Sequence, residues 1–268
     1  VRVVDPPNAN LSALHDNYYT PDLSPQNKLY KHTWVEKPEH AWKLRDLLLQ
    51  QQNRTLPTRI TKNPDNSYVV RIGFLDRFDT RSITNMDDLI LHVSQRYDRV
   101  VLDKTWFTGT TPIVEQLAWF ASHDIIIGAH GAAMTNCMFL QPGTVVIEIF
   151  PINYYPVDFF GSLITQVASR HVPLYADGTP LLPKDPAAKR LNLQEGIAAF
   201  KVSSHRVEER HTFRSVNITV RIDDVTYLLD RELKRITGKG PLVEMVKKHA
   251  YKLRMEGFVN QSMSRVIS

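Results

Sequence analysis

Three polar residues interrupt an otherwise apolar passage, "DIIIGAHGAAMTNCMFLQPGTVVIEIFP", residues 124–151: His130, Asn136 and Glu148. The passage reads as two buried strands around a short helix, and burying a polar group without a partner is costly. Either each of the three has a structural partner, or the passage is the floor of a ligand site. Upstream, in "LDRFDTRSITN", Arg77 and Arg81 stand between a strand and a helix. Their guanidinium groups are permanently charged planar forks that fit phosphate oxygens. Gly128 and Gly131 let the backbone turn tightly into a helix N-terminus, where exposed N–H groups and the helix dipole favour an anion. These types together point to binding of a phosphorylated ligand. A plainer assignment stands beside each one. Arg77 and Arg81 could pair with Asp76, Asp79 or Asp87, His130 could be a core histidine on a backbone carbonyl, and Glu148 could be a buried partner of an arginine.

Such residues need a scaffold, and the chain offers one. "SYVVRIGF", "RVVLD", "DIIIG", "TVVIEIF" and "HVPLYA" read as five strands between residues 67 and 176. Helical patterns alternate with them: "TNMDDLILHVSQRY", "TPIVEQLAWFAS", "AAMTNCMF" and "YPVDFFGSLITQVASR". The first has Thr84 as expected N-cap, Asp87 three positions later, and a stripe of Met86, Leu89, Ile90 and Val93. The second has Pro112 in its first turn. Strands alternating with helices predict an α/β fold, a Rossmann-like parallel sheet covered on both faces. Ligands of such sheets bind beyond the carboxyl ends of the strands, which is where the arginines and the His-Gly turn lie.

Residues 1–66 are rich in Pro, Asn and Asp. Their one clear helix, "PEHAWKLRDLLLQQQN", has Leu44, Leu47 and Leu48 at helical spacing. Residues 177–268 begin with a Pro-rich loop, "DGTPLLPKDPAAKRLN", and close with two charged helical patterns, "DDVTYLLDRELKRI" and "PLVEMVKKHAYKLRM". Three regions follow: an N-terminal segment 1–66, a Rossmann-like domain 67–176, and a C-terminal part 177–268 packing on it.

A net charge of +5 suits an anionic ligand, but the basic residues are scattered, which argues against nucleic acid. The single cysteine, Cys137, excludes an internal disulfide and a cysteine-built metal site, and its neighbours make it a small buried hydrophobe. No G-x-S-x-G elbow, H-E-x-x-H helix or P-loop occurs, so serine hydrolase, zincin and P-loop NTPase chemistry are not expected. No apolar run is long enough to span a membrane, and no signal peptide is expected within these residues. The chain starts at Val1, which leads to the expectation of a removed N-terminal segment. N-x-S/T sequons at Asn10, Asn53, Asn217 and Asn260 hint at a secretory route.

The 124–151 passage resembles the signature of glycosyltransferase family 61: an HGAGLTN stretch, an F-x-x-P-G turn and a V-x-E-x-x-P strand. "DRFDTRSITNMDDL" is similar to that family's Arg-x-x-x-Arg-x-x-x-Asn segment, matched by Arg77, Arg81 and Asn85. The likeness covers about residues 67–152. It departs in "HGAAM", where Ala133 replaces a glycine and bears on how closely a ligand can approach the turn. The resemblance implies a GT-B fold of two Rossmann-like domains, with the donor held by the C-terminal one. Residues 1–66 are too few for the other, so that part is expected to be incomplete. It also implies transfer of xylose, arabinose or N-acetylglucosamine from a nucleotide diphosphate sugar, with inversion, to a glycan or glycoprotein acceptor. The setting implied is the ER or Golgi lumen, from a type II membrane precursor whose anchor lies upstream. Carried over residue by residue, Arg77, Arg81, His130 and Gly131 surround the diphosphate, with Thr135 and Asn136 lining the pocket. Glu148 meets the ribose or holds an arginine. No D-x-D pair occurs, so a metal-independent reaction without a cofactor is expected, the UDP-sugar being a co-substrate. The alternative is a non-catalytic nucleotide-sugar or glycan-binding module of the same fold. No residue is identified as the catalytic base.

Overall fold

The computed structural model describes residues 34–35, 37–56, 61–62, 68–151, 154, 156–176 and 212–237. The Pro-rich loop, the last helical pattern and the sequons at Asn10 and Asn260 lie outside these residues. In chain order the elements are α1 (Pro38–Gln51), β1 (Thr61–Lys62), β2 (Tyr68–Leu75), α2 (Met86–Arg96), β3 (Val100–Thr105), α3 (Ile113–Ser122) and β4 (Ile125–Ala129). A 3-10 helix (Ala132–Phe139), β5 (Val145–Phe150), α4 (Val157–Gln166), β6 (Arg170–Tyr175) and α5 (Ile222–Thr237) follow.

Five strands pair in parallel in the order β3-β2-β4-β5-β6, while β1 meets the start of β2 antiparallel. The Rossmann-like α/β expectation therefore holds. Every position of β4 and β5 is buried. That is why these strands read as continuous apolar runs rather than alternating ones.

Alternate residues feed two cores. Ile125, Ile127, Val145 and Ile147 face one side with Met86, Leu89 and Val93 of α2 and Val225 and Leu229 of α5. Ile126 and Val146 face the other with Phe120, Met134, Cys137, Leu163 and Ile164. Each such side chain contributes about 1.5–3 kcal/mol when fully buried. Cys137 lies inside the second core as expected, its thiol 3.9 Å from Met134 Sδ.

Local details differ from the sequence reading. Leu44 and Leu47 of α1 face solvent, and Ala41, Arg45 and Leu49 are the buried positions. The helix docks through a small residue, a leucine and a guanidinium: Arg45 Nη1 donates to Leu140 O at 2.9 Å. Thr84 does not cap α2, which starts at Met86 after Asn85. Its hydroxyl donates to Ile218 O and meets the Thr219 hydroxyl instead. Pro112 precedes α3 rather than opening its first turn.

α5 is fixed by charge. The fully buried Glu232 accepts from Arg170, Arg231 and Arg235, each at 2.8–2.9 Å. Asp230 accepts from Arg96 Nη2 at 2.6 Å and from the Tyr97 hydroxyl at 2.7 Å. Among the described residues no helix is long and apolar enough to cross a membrane.

Candidate functional site

The strand order reverses between β2 and β4: from β2 the chain moves outward to β3, then returns to β4 on the other side. In open α/β sheets the crevice at such a reversal is where ligands bind. Leu75, the last residue of β2, pairs with Gly128 near the end of β4. The loop carrying Arg77 and Arg81 and the His130-Gly131 turn thus leave the sheet side by side. Gly128 suits its place because a side chain there would meet Leu75 Cβ and O at 2.9 Å.

Arg77 is half anchored. Its Nε donates to Thr80 O at 2.6 Å and its Nη2 to Asp79 Oδ1 at 3.0 Å. Its Nη1 lies over Gly131, where an added Cβ would collide with it. Gly131 itself has φ 170°, an extended backbone open to any residue, so space and not a tight turn calls for glycine. That corrects the turn expected from sequence. Asp76 and Asp87, proposed partners of the arginines, are both held by Lys104 Nζ, at 3.1 and 2.7 Å.

Arg81 stands apart. It is 5% exposed, makes no hydrogen bond or ion pair among the described residues, and its buried Nε has no partner. Its backbone sits at φ 63°, a left-handed conformation unusual for a non-glycine residue and costing about 1–3 kcal/mol. Burial first, then the charges of Arg77 and Arg214, pull its guanidinium down to about 10, against the pull of Tyr154 and Asp79. It remains a cation at neutral pH. A buried cation without a counter-charge is held at a cost, and an anion would relieve it.

Arg214 was not singled out by the sequence. It is exposed, forms no ion pair with a described carboxylate, and lies in a stretch without a motif. What brings it here is the pairing of Ile83 with Ile218 and a two-way amide clamp. Asn85 Nδ2 donates to Val220 O at 2.8 Å, and Val220 N donates to Asn85 Oδ1 at 3.0 Å. Asn85 is therefore occupied with holding the 216–220 segment rather than with a ligand. Tyr154, also not anticipated, is buried edge-on to His130 and acts electrostatically on Arg81.

The 3-10 helix residues divide. Thr135 is exposed. Asn136 Nδ2 donates to Gln116 Oε1 at 2.8 Å and to Ala133 O at 3.2 Å, which ties the 3-10 helix to α3 and not to the arginines.

Glu148 holds neither an arginine nor a surface open to ribose. It is fully buried, its Oε1 taking the His130 Nδ1 hydrogen at 2.6 Å and its Oε2 the His171 Nε2 hydrogen at 2.7 Å. Burial pushes this carboxyl up, but the two histidine hydrogen bonds and charges outweigh it and hold it below the usual value. The His130 ring stacks on Phe150 at 5.2 Å, meets Tyr154 edge-on at 5.5 Å and leans on Phe160 at 5.2 Å. So the structure brings Arg77, Arg81, Gly131 and His130 together, adds Arg214 and Tyr154, and sets Asn85, Asn136 and Glu148 behind them as supports. Among the described residues no group of three or more His, Cys, Asp or Glu is arranged to hold a metal ion.

Known proteins resemble the chain over part of its length. A xylan glycosyltransferase of Arabidopsis thaliana is 28% identical over 117 residues, 43% of this chain and 22% of its own length. A protein O-linked-mannose β-1,4-N-acetylglucosaminyltransferase 2 of Tetraodon nigroviridis is 28% identical over 99 residues, 37% of this chain and 16% of its own. An α-1,3-arabinosyltransferase of Oryza sativa subsp. japonica is 31% identical over 81 residues, 30% of this chain and 14% of its own. The chain thus spans less than a quarter of the length of these curated relatives. Among solved structures, an L-alanine dehydrogenase aligns at 11% identity and a TM-score of 0.22 over 72% of this chain and 62% of that one, too weak to carry an argument. The glycosyltransferase 61 family model matches residues 12–147, more than half of the chain. The chain belongs to glycosyltransferase family 61.

Proposed function

We propose that this chain is the donor-binding region of a GT-B glycosyltransferase that moves a sugar from a UDP-sugar to a glycan or glycoprotein acceptor. The observation that carries the reading is Arg81: a buried cation, unpaired among the described residues, in a strained backbone, beside Arg77 and Arg214, at the crevice of a parallel sheet. A diphosphate supplies the missing counter-charge. It also leaves as a dianionic or trianionic group, so the same arginines favour its departure in the transition state more than its binding in the ground state. Three cations can do for a departing diphosphate what a divalent metal does elsewhere, which supports a metal-independent, inverting transfer. The relatives' names cover arabinosyl and N-acetylglucosaminyl transfer and glycosyl transfer to xylan, so arabinose and N-acetylglucosamine are in view beside the xylose that the family resemblance implies.

The Rossmann-like layer is the donor domain in this reading. Helix α5, residues 222–237, packs on the layer through Val225 and Leu229. Two sequon asparagines, Asn53 and Asn217, are exposed, in keeping with a secretory-lumen setting and a type II precursor.

A thermal-shift screen of UDP-xylose, UDP-arabinose and UDP-N-acetylglucosamine tests the proposal. Donor at a hundred times its Kd stabilises by about 2.7 kcal/mol. The shift is expected to persist in EDTA. Absence of a shift with every UDP-sugar, or a shift that needs Mn²⁺, contradicts the reading.

A further inference from the structure

Phosphate binding leaves the arrangement around Glu148 unexplained. Three buried polar side chains from the ends and interiors of β4, β5 and β6 are joined in one line, His130 to Glu148 to His171, by contacts of 2.6 and 2.7 Å. An ionised carboxylate has acceptors only, so each histidine nitrogen facing it carries a hydrogen. That fixes the His130 tautomer: hydrogen on Nδ1 and, while the ring is neutral, a bare lone pair on Nε2. Nε2 has no hydrogen-bond partner among the described residues, yet it is not among the side-chain atoms sealed from solvent. The ring cannot swing freely, because Phe150, Tyr154 and Phe160 enclose it. Tyr154, edge-on to the ring at 5.5 Å, also acts electrostatically on Arg81, which sets the ring beside the arginine loop. A neutral imidazole with its lone pair free is a poor donor to a phosphate oxygen and a good acceptor for a hydroxyl proton.

The geometry points to His130 as the base that takes the proton from the acceptor hydroxyl, with Glu148 and His171 as positioning residues behind it. This rests on the glycosyl-transfer reading above. In the step, the acceptor oxygen bonds to the sugar's anomeric carbon as that carbon's bond to the diphosphate oxygen breaks. The bonding pair leaves with UDP toward Arg77 and Arg81, and the acceptor proton passes to His130 Nε2. Glu148 then holds the imidazolium through Nδ1. His171, on the second carboxylate oxygen, keeps Glu148 from turning. Among the described residues the ionisable groups around His130 are Glu148 on β5, Tyr154 beyond β5, Arg77 beside Gly131, and His171 on β6 through Glu148. The Cys137 thiol near Glu148 stays neutral because burial raises it.

Two measurements decide the assignment. Nitrogen NMR of histidine-labelled protein reads the tautomer with no ligand present. In its neutral form His130 is expected with hydrogen on Nδ1 alone, and a neutral Nε2–H tautomer overturns the proposal. UDP release from UDP-xylose and UDP-N-acetylglucosamine, with water as acceptor, is followed across pH beside calorimetric titration of UDP. His130→Gln should lower turnover by about a hundredfold or more and leave UDP affinity nearly unchanged. Glu148→Gln, which removes the charge behind the ring, should move the acidic limb of kcat/KM to lower pH, a change that lost stability alone does not produce. If Glu148→Gln fails to fold, the tautomer and His130→Gln still decide. Equal loss of UDP affinity and turnover in His130→Gln makes it a diphosphate ligand and overturns the base. Full turnover in that variant does the same. Wild type that neither binds UDP nor releases it sinks the transfer reading itself, and the base with it.

Discussion

At the amino end of β6, Arg170, Arg231 and Arg235 converge on the buried carboxylate of Glu232. At the carboxyl end of the same sheet, the carboxylate paired with Arg77, Arg81 or Arg214 among the described residues is the exposed Asp79, on Arg77. Both groups hold three guanidinium groups, and both keep one arginine with its ionisation depressed by burial, Arg231 in one and Arg81 in the other. The difference lies in the counter-charge. Around Glu232 the chain supplies its own, and the cluster anchors α5. Around Arg81 no described residue forms a hydrogen bond or ion pair with it, and the backbone is left-handed. Residue type therefore does not separate a structural arginine from a binding one, whereas the balance of charge around it does.

If that contrast is right, perturbing the two clusters has opposite signs. The largest effect belongs to Glu232→Ala. Removing the acceptor leaves three cations facing one another, and breaking a buried pair of this kind costs about 3–5 kcal/mol. Urea unfolding measures it, and a loss below about 1 kcal/mol would put Glu232 among surface pairs.

Acid should act on the same carboxylate. Burial raises Glu232, but Arg170, Arg231 and Arg235 more than offset that, and its ionisation lies below the ordinary value of 4.5. Glu148 lies below its ordinary value too, held by His130 and His171. A folded-state value below the unfolded one gives stability that is fully present above about pH 4.5 and is lost as pH falls through the folded value. Midpoints of urea unfolding should be flat from neutral pH to about 5 and then decline. Glu232→Gln should flatten that decline, and an unchanged slope in the variant would show that Glu232 does not contribute to it.

Arg81→Gly should do the reverse of Glu232→Ala. It removes both the unpaired charge and the positive φ of a side-chain-bearing residue, so the protein should gain about 1 kcal/mol while donor binding falls. Lost stability in this variant would mean that Arg81 is paired within the fold.

The smallest stability effect is expected for Gly131→Ala. The new methyl group meets Arg77 Nη1, the end of a flexible side chain that can shift, so the loss should stay below about 1 kcal/mol. UDP affinity should fall about tenfold as Arg77 is pushed aside. Unchanged affinity would place Arg77 outside the site.

The sheet was legible because parallel strands buried on both faces must be largely apolar, and β4 and β5 carry that mark at every position but Glu148. The crevice followed from strand order, since polar residues after β2 and β4 had few other reasons to be there. Partnerships were not legible. His171 lies 23 residues from Glu148, and only the register of β5 with β6 brings them together. Asn85 looked like a ligand group because an asparagine after a loop can serve a ligand or a backbone equally well, and Val220 lies 135 residues away. The α1 stripe misled because Leu44 and Leu47 satisfy helical spacing as well as Leu49 does. What chose the buried face was the close docking allowed by Ala41 and the Arg45 contact with Leu140. Arg214 has no local signal at all.

The central claim is that Arg81 waits for an anion, and calorimetric titration of UDP into wild type, Arg81→Ala and Arg81→Lys tests it most directly. Losing a charge-assisted contact of this kind costs about 1.5–3 kcal/mol, or roughly ten- to a hundredfold in affinity. Lysine keeps the charge but not the planar fork, so it should recover only part of the loss. A drop of that size in Arg81→Ala, with folding intact, is the predicted result. Equal UDP affinity in wild type and Arg81→Ala would contradict the account.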